Sequence, residues 1–203
     1  MNERATSEEE HRLVAQFREG SEEAMEDIIN LYEESLYNFG FRMCGHKEDA
    51  EDILQETFLS AFRYLNSFRE ETRLKNWLFK IAANACHRKR RKKKGAPDFE
   101  ISLESLLPDN DGAGRYDIPD WSWDPAETLL QAELKKVIGE SVRSLPPKYR
   151  MVFNLRDMEG FSTEETAEIL GITPQAVKTR LHRARLFLRR EITEHYRRGS
   201  GNA

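Results

Sequence analysis

Residues Phe161 to Arg185 read FSTEETAEILGITPQAVKTRLHRAR, and this stretch decides how the chain folds. Ser162 is followed at the third position by Glu165, a pairing that satisfies the free amides of a helix start. Phe161, just ahead of that cap, is placed to fold back onto the helix as a staple. Thr166, Ala167, Ile169 and Leu170 form the inner face of this helix. Gly171 permits a tight turn, because glycine takes positive φ without steric cost. Ile172 then plugs the space between two helices. Thr173 caps the next helix, and Pro174 takes its first position, where a missing amide costs nothing. Ala176, Val177 and Leu181 point inward. Lys178, Thr179, His182 and Arg183 remain outside, near the amino-terminal half of the helix, and Arg180, Arg185, Arg189 and Arg190 extend the positive surface. This is a helix-turn-helix, whose second helix reads base edges and phosphates in a major groove. Many DNA-binding families use the same unit.

Working upstream, Pro146 and Pro147 start a helix to about Met158, carrying Val152, Phe153 and Leu155 and ended by Gly160. Asp124 and Pro125 read as cap and first position of another helix, to about Val142. Before it, Pro97, Pro108, Pro119, Gly112 and Gly114 interrupt any long helix. Between Gly95 and Glu127 stand nine acidic residues and one basic residue, Arg115, so a self-repelling, extended linker is expected.

Further upstream the pattern is again helical. A first helix over about Ser7–Glu19 carries Leu13, Val14 and Phe17 and ends at Gly20. Ser21 caps a second, with Ala24, Ile28, Leu31, Tyr32, Leu36, Phe39 and Met43 in one stripe, and Gly45 stops it. A third, over about Lys47–Asn66, has the apolar series Ala50, Ile53, Leu54, Phe58, Ala61, Phe62 and Leu65. A fourth begins near Arg73, carries Trp77, Leu78, Ile81, Ala82 and Ala85, and ends in seven consecutive cations, Arg88 to Lys94. The apolar stripes need one another for cover, which makes a four-helix bundle. Aromatics with polar neighbours beside such a cationic end suit phosphates and unstacked bases. Trp77 by itself reads as a core residue.

The chain has 203 residues, 38% hydrophobic and 33% charged, which suits compact helical units with wide solvated faces. A net charge of −4 would argue against nucleic-acid binding, but charge is segregated along the sequence. Cys44 and Cys86 lack metal-ligand spacing, so two core thiols in a reducing compartment are expected, with no metal and no cofactor. No apolar run approaches the ~18–20 residues of a membrane span, and the acidic start, Met1 to Glu10, lacks the layout of a signal peptide. A soluble, cytoplasmic protein without membrane insertion is expected. No convergent set of carboxylates or nucleophile–base pair suggests an enzyme.

Two longer segments carry a specific resemblance. DAEDILQETFLSAFRYLNSF (Asp49 to Phe68), followed by NWLFKIAANACHRKRR, closely resembles region 2 of bacterial RNA polymerase sigma factors. LPPKYRMVFNLRDMEGFSTEETAEILGITPQAVKTRLHRARLFLR (Leu145 to Arg189) resembles their region 4. The order of the two, with an acidic linker between, is similar to the extracytoplasmic-function group. The resemblance implies an all-α protein with a region 2 domain over 1–94, a linker over 95–123, a region 4 domain over 124–198 and a disordered tail over 199–203. It implies a promoter-specificity subunit whose partners are core RNA polymerase (the largest-subunit clamp and the flap region), promoter DNA and an anti-sigma factor responding to stress. Asp49, Asp52, Gln55 and Glu56 would face core polymerase. Tyr64, Phe68, Lys80, Asn84, His87 and Arg88 would read the −10 element as single strand. Arg156, Lys178, Thr179, His182 and Arg183 would hold the −35 element as duplex. The residues alone leave open a conventional helix-turn-helix regulator that binds an operator without polymerase.

Overall fold

The computed structural model describes residues 7–93 and 137–200, and all regular structure among them is helical. The expected linker, and the beginning of the helix expected from Asp124, lie outside the described residues.

The first half holds α1 (Ser7–Arg18), α2 (Glu22–Cys44), α3 (Lys47–Tyr64), a 3-10 turn (Leu65–Ser67) and α4 (Leu74–Lys93). Ser21 caps α2 as expected, its hydroxyl accepting from the Ala24 amide at 3.3 Å. Gly45 closes α2 in a left-handed conformation, φ 78°, and its amide returns to the Phe41 carbonyl at 2.7 Å. Gly40 of α2 faces α3, where a Cβ would come to 3.4 Å from the Ala50 backbone, an ordinary contact. The inner stripe of α3 is Ala50, Ile53, Thr57 and Ala61, continued by Leu65 of the 3-10 turn, all buried. Thr57 tolerates burial by donating its hydroxyl to the Ile53 carbonyl at 2.7 Å. Phe62, expected on that stripe, is instead 57% exposed, because the inner spacing falls on Thr57 and Ala61 rather than on the larger side chains beside them.

The second half holds α5 (137–144), α6 (Pro147–Phe153), a π turn (Asn154–Met158), α7 (Thr163–Leu170) and α8 (Pro174–Ser200). The reciprocal cap on α7 is present: the Ser162 amide donates to Glu165 Oε2 at 2.7 Å and the Glu165 amide to Ser162 Oγ at 3.1 Å. Gly171 adopts φ 63°, left-handed as the turn requires. Thr173 caps α8 through the Ala176 amide at 3.1 Å. Once nucleated, a helix gains a backbone bond with each added residue, and α8 continues through Ser200, two residues into the expected tail.

The halves do not stand apart. One hydrophobic cluster runs from Leu13, Ile28 and Phe39 through Leu78 and Phe79 to Met151, Leu155, Phe161 and Ile169. The Phe79 ring lies edge-on to Phe39 at 5.3 Å and to Phe161 at 4.9 Å. Phe161 therefore packs against α4 of the other half, and Lys75 sits over its ring at 4.6 Å. Around this seam Arg42 Nε donates to Asn154 Oδ1 at 2.8 Å and Arg42 Nη2 to Glu159. Lys75 reaches the Glu159 carbonyl at 3.0 Å, Asn76 donates to Glu165 Oε1 at 3.2 Å, and Arg150 donates to the Met43 carbonyl at 2.8 Å. Burial raises the Glu159 pKa despite Arg42 and Lys75, and burial lowers that of Arg42 despite Glu159. Burial, with Arg90 and Arg143 adding like charge, brings Arg150 down to about 10.

The two cysteines, distant in sequence, meet in the core. Cys86 is buried, Cys44 half-buried, and their thiols hydrogen-bond, which together with burial pushes the Cys86 pKa up.

Candidate nucleic-acid interface

The outer face of α8 is built by what the helix buries. Val177, Leu181 and Ala184 point into the protein, so Lys178, Thr179 and His182 stand exposed on the opposite side, with Arg183 half-exposed beside them. The Thr179 hydroxyl donates to the Gln175 carbonyl at 3.0 Å, leaving its oxygen able to accept. Of the cations expected to prolong this face, Arg185 is committed elsewhere: it grips Asp157 with two hydrogen bonds, at 2.7 and 2.8 Å. Arg190 engages Glu191 at 3.4 Å.

Arg156 is tied into the protein. It lies in the π turn, its Nη1 donates to the Phe161 carbonyl, and its Nε is buried without a protein partner. The wide turn aims the side chain inward, where it props the loop leading to α7.

On α4, Lys80, Asn84, His87 and Arg88 are exposed at a spacing of four, three and one, which makes a single strip. Trp77, one turn ahead of Lys80, is half-buried, and its ring lies 5.0 Å from that of Phe68, tilted by 33°. Phe68 is 7% exposed, so it supports this end of the strip through Trp77 rather than offering an open face. Tyr64, at 59%, is open to solvent. His87 is crowded although its surface is accessible; burial first, then Arg90 and Arg180, lower its pKa. Arg180 of α8 is thus near enough to His87 on α4 for its charge to act there.

The acidic face of α3 is only partly available. Asp49 is 8% exposed and bound to Lys89 Nζ at 3.0 Å. It therefore ties α3 to α4, and it is not the open contact that was expected. Asp52 shares Lys89 at 2.5 Å, and Glu56 holds Arg88 at 2.5 and 3.2 Å. Gln55 and Glu56 are exposed, and beyond them on the same side come Leu59, 50% exposed, and Phe62. Neither is among the surface residues expected from the sequence. Their signal was available: large apolar residues at positions 59 and 62, one helical turn beyond exposed Gln55, on the side away from Ile53, Thr57 and Ala61.

Among the described residues no group of histidine, cysteine and carboxylate side chains could hold a metal, and no helix is long and apolar enough to cross a membrane.

Comparison with known proteins matches the same two segments. Residues 28–96 fit the family model described as Sigma-70 region 2, and residues 135–188 that described as Sigma-70, region 4. The chain is 33% identical over 185 residues to the ECF RNA polymerase sigma factor SigW of Bacillus subtilis, covering 90% of this chain and 96% of that one. It is 27% identical to the ECF RNA polymerase sigma-E factor of Haemophilus influenzae, over 89% and 93% of the two chains. Among solved structures, the sigma factor RpoE of Bartonella quintana, in complex with the anti-sigma factor NepR, aligns with a TM-score of 0.59 at 25% identity. That alignment covers 83% of this chain and 96% of the other. CnrH, in complex with the cytosolic domain of CnrY, shares the fold at a TM-score of 0.64 and 22% identity, over 91% and 97%.

Proposed function

The chain belongs to the extracytoplasmic-function RNA polymerase sigma factors, and from that premise we propose how its surfaces divide the work of promoter recognition. It is a promoter-specificity subunit, acting with core polymerase at transcription initiation. The outer face of α8 holds the −35 element as duplex through Lys178, Thr179, His182 and Arg183. The strip on α4, Lys80, Asn84, His87 and Arg88, takes the −10 element as a single strand, with Tyr64 beside it and the Phe68–Trp77 pair at its end. An amide such as Asn84 can both donate and accept along one base edge. Extracting a base costs a few kcal/mol of unstacking, which a shaped site must recover.

The strip Gln55, Glu56, Leu59 and Phe62 is the surface we assign to core polymerase, with Asp52 at its margin. It joins polar groups to exposed apolar area, the composition of a docking face that is covered in a complex. An anti-sigma factor is the natural regulator, supported by the complex of the related Bartonella protein with one. The protein works in the cytoplasm and performs no catalysis of its own.

The observation that carries this reading is the exposure of Lys178, Thr179 and His182 on a helix whose other side is buried within the region 4 frame. Transcription in vitro tests it: core polymerase plus this protein should initiate at a promoter that core ignores. Lys178→Ala with Arg183→Ala should weaken binding to −35 duplex at least tenfold while core binding persists. A stable dimer bound to a palindromic operator without polymerase would favour the conventional regulator instead.

A further inference from the structure

Helix α1 lies ahead of the residues matched by the region 2 model, which begins at 28. It is nevertheless bound to both ends of the loop 68–73. At one end, Arg18 donates from Nη1 to the Glu70 carboxylate and from Nη2 to the Phe68 carbonyl. His11 Nδ1 meets the other oxygen of Glu70 at 2.5 Å. At the far end, Glu10 is only 3% exposed, yet it reaches across the fold. It accepts from Arg73 Nη2 at 2.8 Å and from the amide of Leu74, the first residue of α4, at 3.0 Å. The Tyr32 hydroxyl, donating at 2.7 Å, holds that carboxylate in place. Glu10 thus caps α4 from another helix, where the residues just before Leu74 supply no carboxylate or hydroxyl bond to its first amide.

The loop needs such fixing. Glu70 has φ 57°, left-handed, the one non-glycine residue in that region among those described. A residue with a Cβ keeps this conformation only when its surroundings enforce it. Here the enforcing groups are His11 and Arg18, and the same contacts lower the Glu70 pKa, the His11 hydrogen bond first. The conformation also sets where Phe68 leaves the loop to meet Trp77.

We infer that α1 is a positioning element for strand reading: Glu10, His11 and Arg18 hold loop 68–73 so that Trp77, backed by Phe68, and the α4 strip present one fixed surface to single-stranded DNA. This rests on the assignment of that strip to the −10 strand. None of the three need touch DNA. They act through Glu70, the Phe68 carbonyl and the start of α4.

The test uses holoenzyme assembled from core polymerase and the full chain, with a randomised pool of single-stranded DNA as probe. The parent should enrich a short motif. Arg18→Ala and Glu70→Ala should each enrich it at least tenfold less sharply, with core binding and duplex binding by α8 within twofold of the parent. Arg18→Lys, which keeps the charge toward Glu70, should recover most of the sharpness. If Arg18→Ala fails to fold, Arg18→Gln takes its place in the comparison. Unchanged motif and sharpness in the variants overturns the inference. Core binding that falls in step with motif sharpness also overturns it, since α1 would then merely stabilise the bundle. A parent that enriches no motif, while still binding core and duplex, refutes instead the strand-reading assignment beneath it.

Discussion

Replacing Arg42 by alanine should open the seam between the two halves without unfolding either. Arg42 and Glu159 are 23% and 8% exposed at their side chains, so the pair is largely out of water. Removing one member of a buried pair costs about 3–5 kcal/mol, because the other charge is left unsolvated. With part of Arg42 at the surface, a discounted value of about 2–3 kcal/mol is appropriate, which shifts the closed-to-open equilibrium about 30- to 150-fold toward opening. Small-angle scattering reads this directly. A compact chain of this length has a radius of gyration near ~17 Å, and separated halves should raise it by several ångströms. The pH dependence gives a second reading. Glu159 has a raised pKa in the closed form, so closure is fully supported below the usual carboxylate pKa and loses that support as pH rises through the raised value. Without Arg42 the shift grows, so the variant should be open at pH 7 and close again on acidification into the carboxylate range. A variant that stays compact at pH 7 while its melting temperature falls would refute this account of the seam. So would opening that acid does not reverse.

Two further outcomes follow from single side chains. Phe62 is 57% exposed, so complete cover by core polymerase would bury about 100 Å² of it, worth about 2.5 kcal/mol. Phe62→Ala should therefore weaken core binding about 50-fold in a competition assay, and near-parental affinity would remove the α3 strip from the docking face. The Cys86 thiol, buried and hydrogen-bonded to Cys44, should resist a maleimide at pH 7 until denaturant is added, while Cys44 reacts slowly in the native protein. Mass spectrometry of the alkylated peptides separates the two, and rapid native labelling of Cys86 would contradict the packing.

What the sequence disclosed was local. The Ser162–Glu165 cap, the helix stop at Gly45, the left-handed Gly171, and the outward set Lys178, Thr179 and His182 each depend on residues within one or two turns, and each stands as expected. The structure departs from expectation where a residue's phase or a distant partner outweighs its type. Phe62 is large and apolar yet outside the inner stripe, whereas Thr57 is polar and within it. Asp49 looked like a surface acid at a helix start, but Lys89 of another helix covers it. Partners such as Arg42 and Glu159 lie 117 positions apart, and nothing in the spacing of either segment announces the other. The same holds for Glu10 and Leu74. Those pairings exist only once helices pack, so periodicity has no access to them.

The π turn at Asn154–Met158 gives the seam an indexing function. Such a turn inserts one extra residue into an α-helical path, and each residue advances the chain by about 100° around the axis. Deleting one position there would restore a plain α-helix and swing Glu159 and Phe161 about that far round, away from α2 and α4. The helices would survive with their caps and inner faces intact, yet the two halves would no longer mate. Within this fold, a single insertion or deletion at that turn works as a key that decides whether the chain can latch onto itself.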